Sequence, residues 1–321
     1  MRRQGPALVA AVVAALGLVA SSASAGARAV KPPRPKPLVG KQSAVMTLDS
    51  NATTLVWASE DGVFVASQLG KGKRKLSAEQ AMAVRLDAGG DAVLVARRGA
   101  VERVVLASGA VTQLATPRFA IALASDDKHV YWSGGLAGVI ERVARTGGTP
   151  ETVAKVPEAG IGEIALDGNH VYFVVLRKLG EDGSLARVPL GGGAVELLYT
   201  GGRVQGLTLG DSHVFCAVDG GSDGSGKVLR IAKAGGKPDL IADKLTSPWA
   251  LAALPDGVLV LAQGAVGKRA GKLLQLRDGA PPVVLADGQA VPWALSTTAA
   301  QVYWSSWGDR TIKTTTLTPR P

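Results

Sequence analysis

His170-Val171-Tyr172-Phe173 is the stretch on which the reading of this chain turns: a polar residue, then a β-branched residue, then aromatic side chains. The pattern returns as His129-Val130-Tyr131-Trp132, His213-Val214-Phe215-Cys216 and Gln301-Val302-Tyr303-Trp304, with weaker copies at Leu55, Val93 and Val258. The apolar anchors stand at 55, 93, 130, 171, 214, 258 and 302, so the spacings are 38, 37, 41, 43, 44 and 44. A period near 40 built from short strand-forming segments points to four-stranded propeller blades.

Around each anchor the order of elements is constant. A first short strand precedes it, as in Glu163-Ile164-Ala165-Leu166, and the anchor opens the second. A glycine-rich loop of variable length follows, then a third strand such as Gly226-Lys227-Val228-Leu229-Arg230-Ile231. Gly147-Gly148, Gly191-Gly192-Gly193 and Gly235-Gly236 read as tight hairpin turns, where glycine supplies positive φ. Thr152-Val153-Ala154, Leu197-Leu198-Tyr199 and Leu240-Ile241-Ala242 read as fourth strands. No long helical period appears after the N-terminal apolar run, so the chain is read as all-β. Seven blades are expected, with six as the alternative.

The last repeat has only three strands, the third over about Thr311–Leu317. Pro37-Leu38-Val39-Gly40-Lys41, ahead of the first repeat, resembles the fourth-strand segment Asp239-Leu240-Ile241-Ala242-Asp243. The N-terminal strand is therefore expected to complete the last blade, which closes the ring and removes an exposed edge.

Val302-Tyr303-Trp304-Ser305-Ser306-Trp307-Gly308-Asp309-Arg310-Thr311-Ile312 resembles a blade of YWTD propellers of lipoprotein-receptor type, and Ile164–Tyr172 resembles NHL-like and other secreted bacterial propellers. The chain departs from the YWTD motif where its aspartate is replaced, by Ser306 in the last repeat and by Gly134 in the third. Such families imply binding platforms for the most part; some relatives of these folds are lactonases, lyases or cyclases.

The N-terminus reads as an export signal over residues 1–25. Arg2 and Arg3 precede an apolar run from Ala7 to Ala20, and Ala23-Ser24-Ala25 fits a small-residue cleavage site. The run is short for a bilayer span, and no later segment is long and apolar enough to be one, so the mature chain is expected to lack a transmembrane segment. The exported location would be periplasmic or extracellular. Residues 26–36 form a basic, Pro-rich spacer and 37–321 the propeller. Of the net charge of +10, Arg2 and Arg3 carry +2 and Arg28, Lys31, Arg34 and Lys36 carry +4, leaving +4 for the rest. The spacer is suited to peripheral contact with anionic envelope surfaces. No basic stripe interleaved with aromatics appears, so nucleic acid is not an expected partner. Cys216, the single cysteine, lies in an apolar run, excludes an internal disulfide and reads as buried structure.

Candidate sites are few. His129, His170 and His213 are the only histidines, and repetition alone gives them one equivalent position in three successive blades; a three-histidine metal site is the alternative. Asp219–Gly226 offers two carboxylates among glycines but lacks the ligand order of a calcium loop. No metal set, cofactor motif, nucleophile elbow or phosphate loop is present, and no catalytic residue is assigned. The connections between blades share a face with the variable loops Leu176–Ser184, Asp219–Gly226 and Gly264–Gly271. They carry Phe119, Trp249 and Trp293 as candidate ligand contacts at the channel mouth, with Arg118, Arg203, Arg177 and Lys178 adding charge; packing between blades is the competing role for the tryptophans. The expected function is binding of a protein, peptide or envelope glycan on this face. A metal-assisted hydrolase or lyase and a structural envelope component are the alternatives.

Overall fold

The computed structural model describes residues 35–177 and 181–317. They form seven antiparallel four-stranded sheets, the blades of a propeller. The inner strands are Val45–Ser50, Ala83–Leu86, Ala122–Ser125, Gly160–Leu166, Arg203–Leu209, Pro248–Leu254 and Pro292–Thr297 in blades 1 to 7. Each is followed outward by the anchor strand and, in blades 1 to 6, by two further strands in chain order.

The anchor strands are buried because both faces of every blade meet another blade. Val171, Phe173 and Val175 point into a core shared by blades 3 and 4, while Tyr172 and Val174 point into the core shared with blade 5. One such core lies between each adjacent pair around the ring. Double-sided burial explains why these strands read as continuous apolar runs instead of alternating ones.

Blade 7 is completed from the other end of the chain. Lys36–Val39 pairs antiparallel with Thr311–Thr316, placing Lys36 opposite Thr314 and Val39 opposite Ile312. The strand begins one residue earlier and ends two earlier than the segment proposed from sequence. Lys41 sits at φ 55 and turns the chain toward blade 1, where the Gln42 amide donates to the Arg310 carbonyl at 2.9 Å. Val39, Leu48, Trp57, Phe64, Tyr303 and Ile312 make the closing core of blades 7 and 1. No helix among the described residues is long and apolar enough to cross a membrane.

Candidate functional site

Two tryptophans reach the channel mouth by the same local device. Ser247-Pro248-Trp249 and Val291-Pro292-Trp293 open the inner strands of blades 6 and 7, with Ser247 at φ 50 and Val291 at φ 48. Each proline lies against a glycine that starts the third strand of the preceding blade. A Cβ on Gly226 would come within 2.4 Å of Pro248 Cδ, and one on Gly271 within 2.5 Å of Pro292 Cδ. Close approach of proline and backbone thus fixes where each indole emerges. A β-branched residue at positive φ is strained, by about 1–3 kcal/mol, and such strain tends to collect at working sites.

A third indole completes the group. Trp293 and Trp307 stack with ring centroids 4.0 Å apart at 18°, and Trp249 lies 4.5 Å from Trp293 at 43°. All three are half-buried. Trp307 is pinned: its indole Nε1 donates to the Val45 carbonyl of blade 1 at 2.7 Å, and its backbone amide to Val291 at 3.1 Å. The turn carrying it is held by Asp309, which accepts from Ser306 Oγ at 3.0 Å and pairs with Arg269 at 2.6 Å and with Lys313. Burial by itself would raise the Asp309 carboxyl, yet Arg269, Lys313 and Ser306 hold it down at about 2.

Below the tryptophans a cavity of about 720 Å³ runs along the axis, lined by Trp249, Trp293, Ile121, Met46, Arg85 and Glu163 among others. Polar side chains of the inner strands, Arg85, Glu163, Thr208 and Ser296 in the lining and Asp49 and Ser50 beside it, join one strand to the next. Asp49 accepts the Leu86 amide of blade 2 at 2.9 Å; Arg85 Nε reaches the Leu123 carbonyl of blade 3 at 3.4 Å. Glu163 accepts the Leu207 amide of blade 5 at 2.9 Å, and Thr208 Oγ1 accepts that of Ala253 in blade 6 at 3.1 Å. Ser296 meets Ser50 of blade 1 at 2.8 Å. Asp49, Arg85, Thr208 and Ser296 occupy one register position, opposite Val56, Leu94, Phe215 and Tyr303. Glu163 lies deep enough for loss of hydration to push its carboxyl up, against the Leu207 hydrogen bond and the Arg85 charge. Sequence reasoning missed this ring and Trp307; its one visible signal was charge inside otherwise apolar first strands.

The other candidates do not join the tryptophans. Phe119 is partly exposed on the connection leading to blade 3, flanked by Arg98 at 5.5 Å and Arg118 at 5.6 Å from its ring. That is three blades round the ring, so Phe119 and Arg118 form a separate feature. Arg203 stands one blade from Trp249 and pairs with Asp219. Arg177 is exposed at the end of its strand, and Lys178 lies outside the described residues. The Asp219–Gly226 loop is organised by its own carboxylates: Asp219 accepts the Gly221 amide at 2.8 Å and Asp223 that of Ser225 at 2.9 Å.

The histidines stand apart, each at the start of the second strand of blade 3, 4 or 5. Asp126 accepts the His129 amide at 2.7 Å and Asp167 that of His170 at 2.8 Å; the rings meet Tyr131 and Tyr172 edge-on at 6.0 Å. Burial works to raise both aspartates, but amide hydrogen bonds hold them below the usual range. Among the described residues no three of His, Cys, Asp and Glu converge as metal ligands. Cys216 is fully buried, and loss of hydration pushes its thiol up to about 12, which keeps it neutral and unreactive.

With the geometry fixed, the protein classes as a seven-bladed β-propeller. No protein-family model matches its sequence, and no curated protein matches it. Solved structures do. A streptogramin B lyase is 13% identical with a TM-score of 0.70, the match covering 88% of this chain and 97% of that one. A catalytically inactive virginiamycin B lyase from Staphylococcus aureus, with quinupristin, is 14% identical with a TM-score of 0.70, over 89% of this chain and 99% of that one. A chain of a nidogen/laminin complex is 19% identical with a TM-score of 0.55, over 70% and 89%. These likenesses establish the fold, in agreement with the YWTD- and NHL-like resemblance of the repeats. The neighbours' roles diverge, from a lyase to a protein complex.

Proposed function

We propose that the protein is an exported, non-catalytic binding propeller whose ligand, a protein segment, peptide or envelope glycan, seats on the Trp249–Trp293–Trp307 stack. The observation that carries this is the stack itself: three half-buried indoles side by side at the rim of an axial cavity. Indoles that only wedged blades apart would be buried as Trp57, Trp132 and Trp304 are, with no accessible surface. Partly wet aromatic faces suit stacking on sugar rings, proline or aromatic side chains. The strained Val291, which leads directly into Trp293, supports the same reading. Arg203 is the candidate polar contact nearest the stack. Phe119 with Arg118 offers a second, smaller aromatic contact across the mouth.

The test is an array of envelope glycans and peptides probed with wild-type protein and with Trp293→Ala. Signals lost with the substitution support the reading. Signals that survive it, or a wild type that retains nothing from either array, overturn it.

A further inference from the structure

The outer rim is not uniform in charge. In blades 3, 4 and 5 the fourth strand carries an acid directly opposite an arginine of the third: Arg142 faces Glu151, Arg187 faces Glu196 and Arg230 faces Asp239. Each pair forms an ion pair, at 2.8, 2.7 and 3.2 Å. The same register position in blade 1 holds Arg74 opposite Val65, and in blade 7 it holds Lys36 opposite Thr314. The acid has become a base, and its partner has lost its charge.

More bases gather at this seam. Lys71, Lys73 and Lys75 flank Arg74, and all are exposed. The hairpin that carries them lies against the closing strand: a Cβ on Gly70 would meet the Leu38 carbonyl oxygen at 2.8 Å. Lys73 bonds Gln42 Oε1 at 3.3 Å, and Lys73 and Lys75 lie 4.6 and 5.3 Å from the Phe64 ring, so their stems lie against the seam. Among the described residues none of these five bases has a carboxylate partner; Asp61, near the blade 1 end of the closing loop, is bonded to Ser43. Protection of an edge strand does not account for the cluster, because the other outer strands, Val111–Ala115 and Val283–Gln289 among them, are equally edges without it. At the tip of the same hairpin Leu69 is 68% exposed.

We propose that this seam, Lys36, Lys71, Lys73, Arg74 and Lys75 with Leu69 at its tip, docks the propeller edge-on against an anionic lipid bilayer. Clustered bases are drawn to acidic head groups, and an apolar tip among them enters the head-group boundary; a soluble polyanion has no use for that leucine. In the sequence the closing strand follows a basic segment that contains Arg28, Lys31 and Arg34. Docking by the rim leaves the tryptophan-bearing mouth open, so this inference stands whether or not the proposed ligand site does.

The experiment uses purified protein, its N-terminus established by mass spectrometry, and co-sedimentation with vesicles of phosphatidylcholine alone or doped with phosphatidylglycerol. Binding is expected only to the doped vesicles. Each base near the surface is worth about fivefold, so the triple variant Lys71→Glu, Arg74→Glu, Lys75→Glu should weaken binding by about a hundredfold or more. Leu69→Ser should weaken it less, and both variants should keep the wild-type melting temperature. A second variant with Arg28, Lys31 and Arg34 changed to Gln should still depend on the rim. Equal binding by the triple variant, equal binding to neutral vesicles, or loss caused by the spacer variant alone would overturn the proposal. Binding to inorganic polyphosphate without binding to vesicles would also overturn it, in favour of a soluble polyanion.

Discussion

Blades 3 to 5 and the arc formed by blades 6, 7 and 1 are built on one strand plan and use it differently. In blades 3 and 4 the repeated polar residues satisfy one another: an aspartate caps a histidine amide, the histidine meets a tyrosine, and an arginine pairs with a glutamate. In the other arc three features depart from that plan. Three indoles share a half-wet stack, the outer strands of blades 1 and 7 carry Arg74, Lys75 and Lys36 with no carboxylate partner among the described residues, and Val291 is held at positive φ. Where a repeat is internally complete, recurrence is architecture; where it departs from its own pattern, the departure marks a surface free for something else.

The largest effect should come from opening the ring. Deleting residues 36–41 exposes the Thr311–Thr316 edge and removes Val39 from the closing core, and should lower the melting temperature by about 10 °C in calorimetry. A melt unchanged by that deletion would show that the arc does not depend on closure. Next comes the stack. Trp293→Ala should cost about 2 kcal/mol in urea unfolding and abolish the exciton couplet of coupled indoles in the far-ultraviolet circular dichroism. Trp132→Phe, inside the complete arc, should leave that signal intact.

A smaller effect separates the channel staples from catalytic groups. Glu163 has its carboxyl raised by burial, so it disfavours the folded state increasingly as pH rises through the ordinary glutamate range. Glu163→Gln keeps an acceptor for the Leu207 amide and removes that penalty. Its melting temperature should match wild type at low pH and exceed it by a few degrees at neutral pH; a variant less stable at neutral pH would show that the charge, through Arg85, supports the ring. The smallest effect should be His170→Gln. The half-buried ring packs edge-on against Tyr172 and its position is set by its backbone amide, so stability should change by less than about 1 kcal/mol and zinc affinity not at all.

The blades were legible because each anchor strand is buried on both faces and must be apolar along its length, so Val171–Val175 and its copies stand out from any background. The closing strand was legible from Pro37–Lys41 and its likeness to Asp239–Asp243, within two residues of its bounds, because a missing fourth strand demands a replacement. Trp249 and Trp293 could be nominated from their matching Pro-Trp-Ala-Leu sequences. Trp307 could not, since it comes from a loop of blade 7 and is held at the stack in part by its bond to Val45, 262 residues away in the chain. Phe119, an equally plausible aromatic in sequence, proved to lie elsewhere on the ring.

The sequence by itself determined the period, the strand chemistry and the need for closure, since these follow from local patterning that any fold of the chain must satisfy. Only the tertiary structure decided which side chains meet. Asp49, Arg85, Glu163 and Thr208 became staples between strands, three distant tryptophans became one surface, and the hairpin that carries the blade 1 bases came to lie against the closing strand. Circular closure sets those neighbours, bringing together residues from the two ends of the chain that no sequence spacing relates.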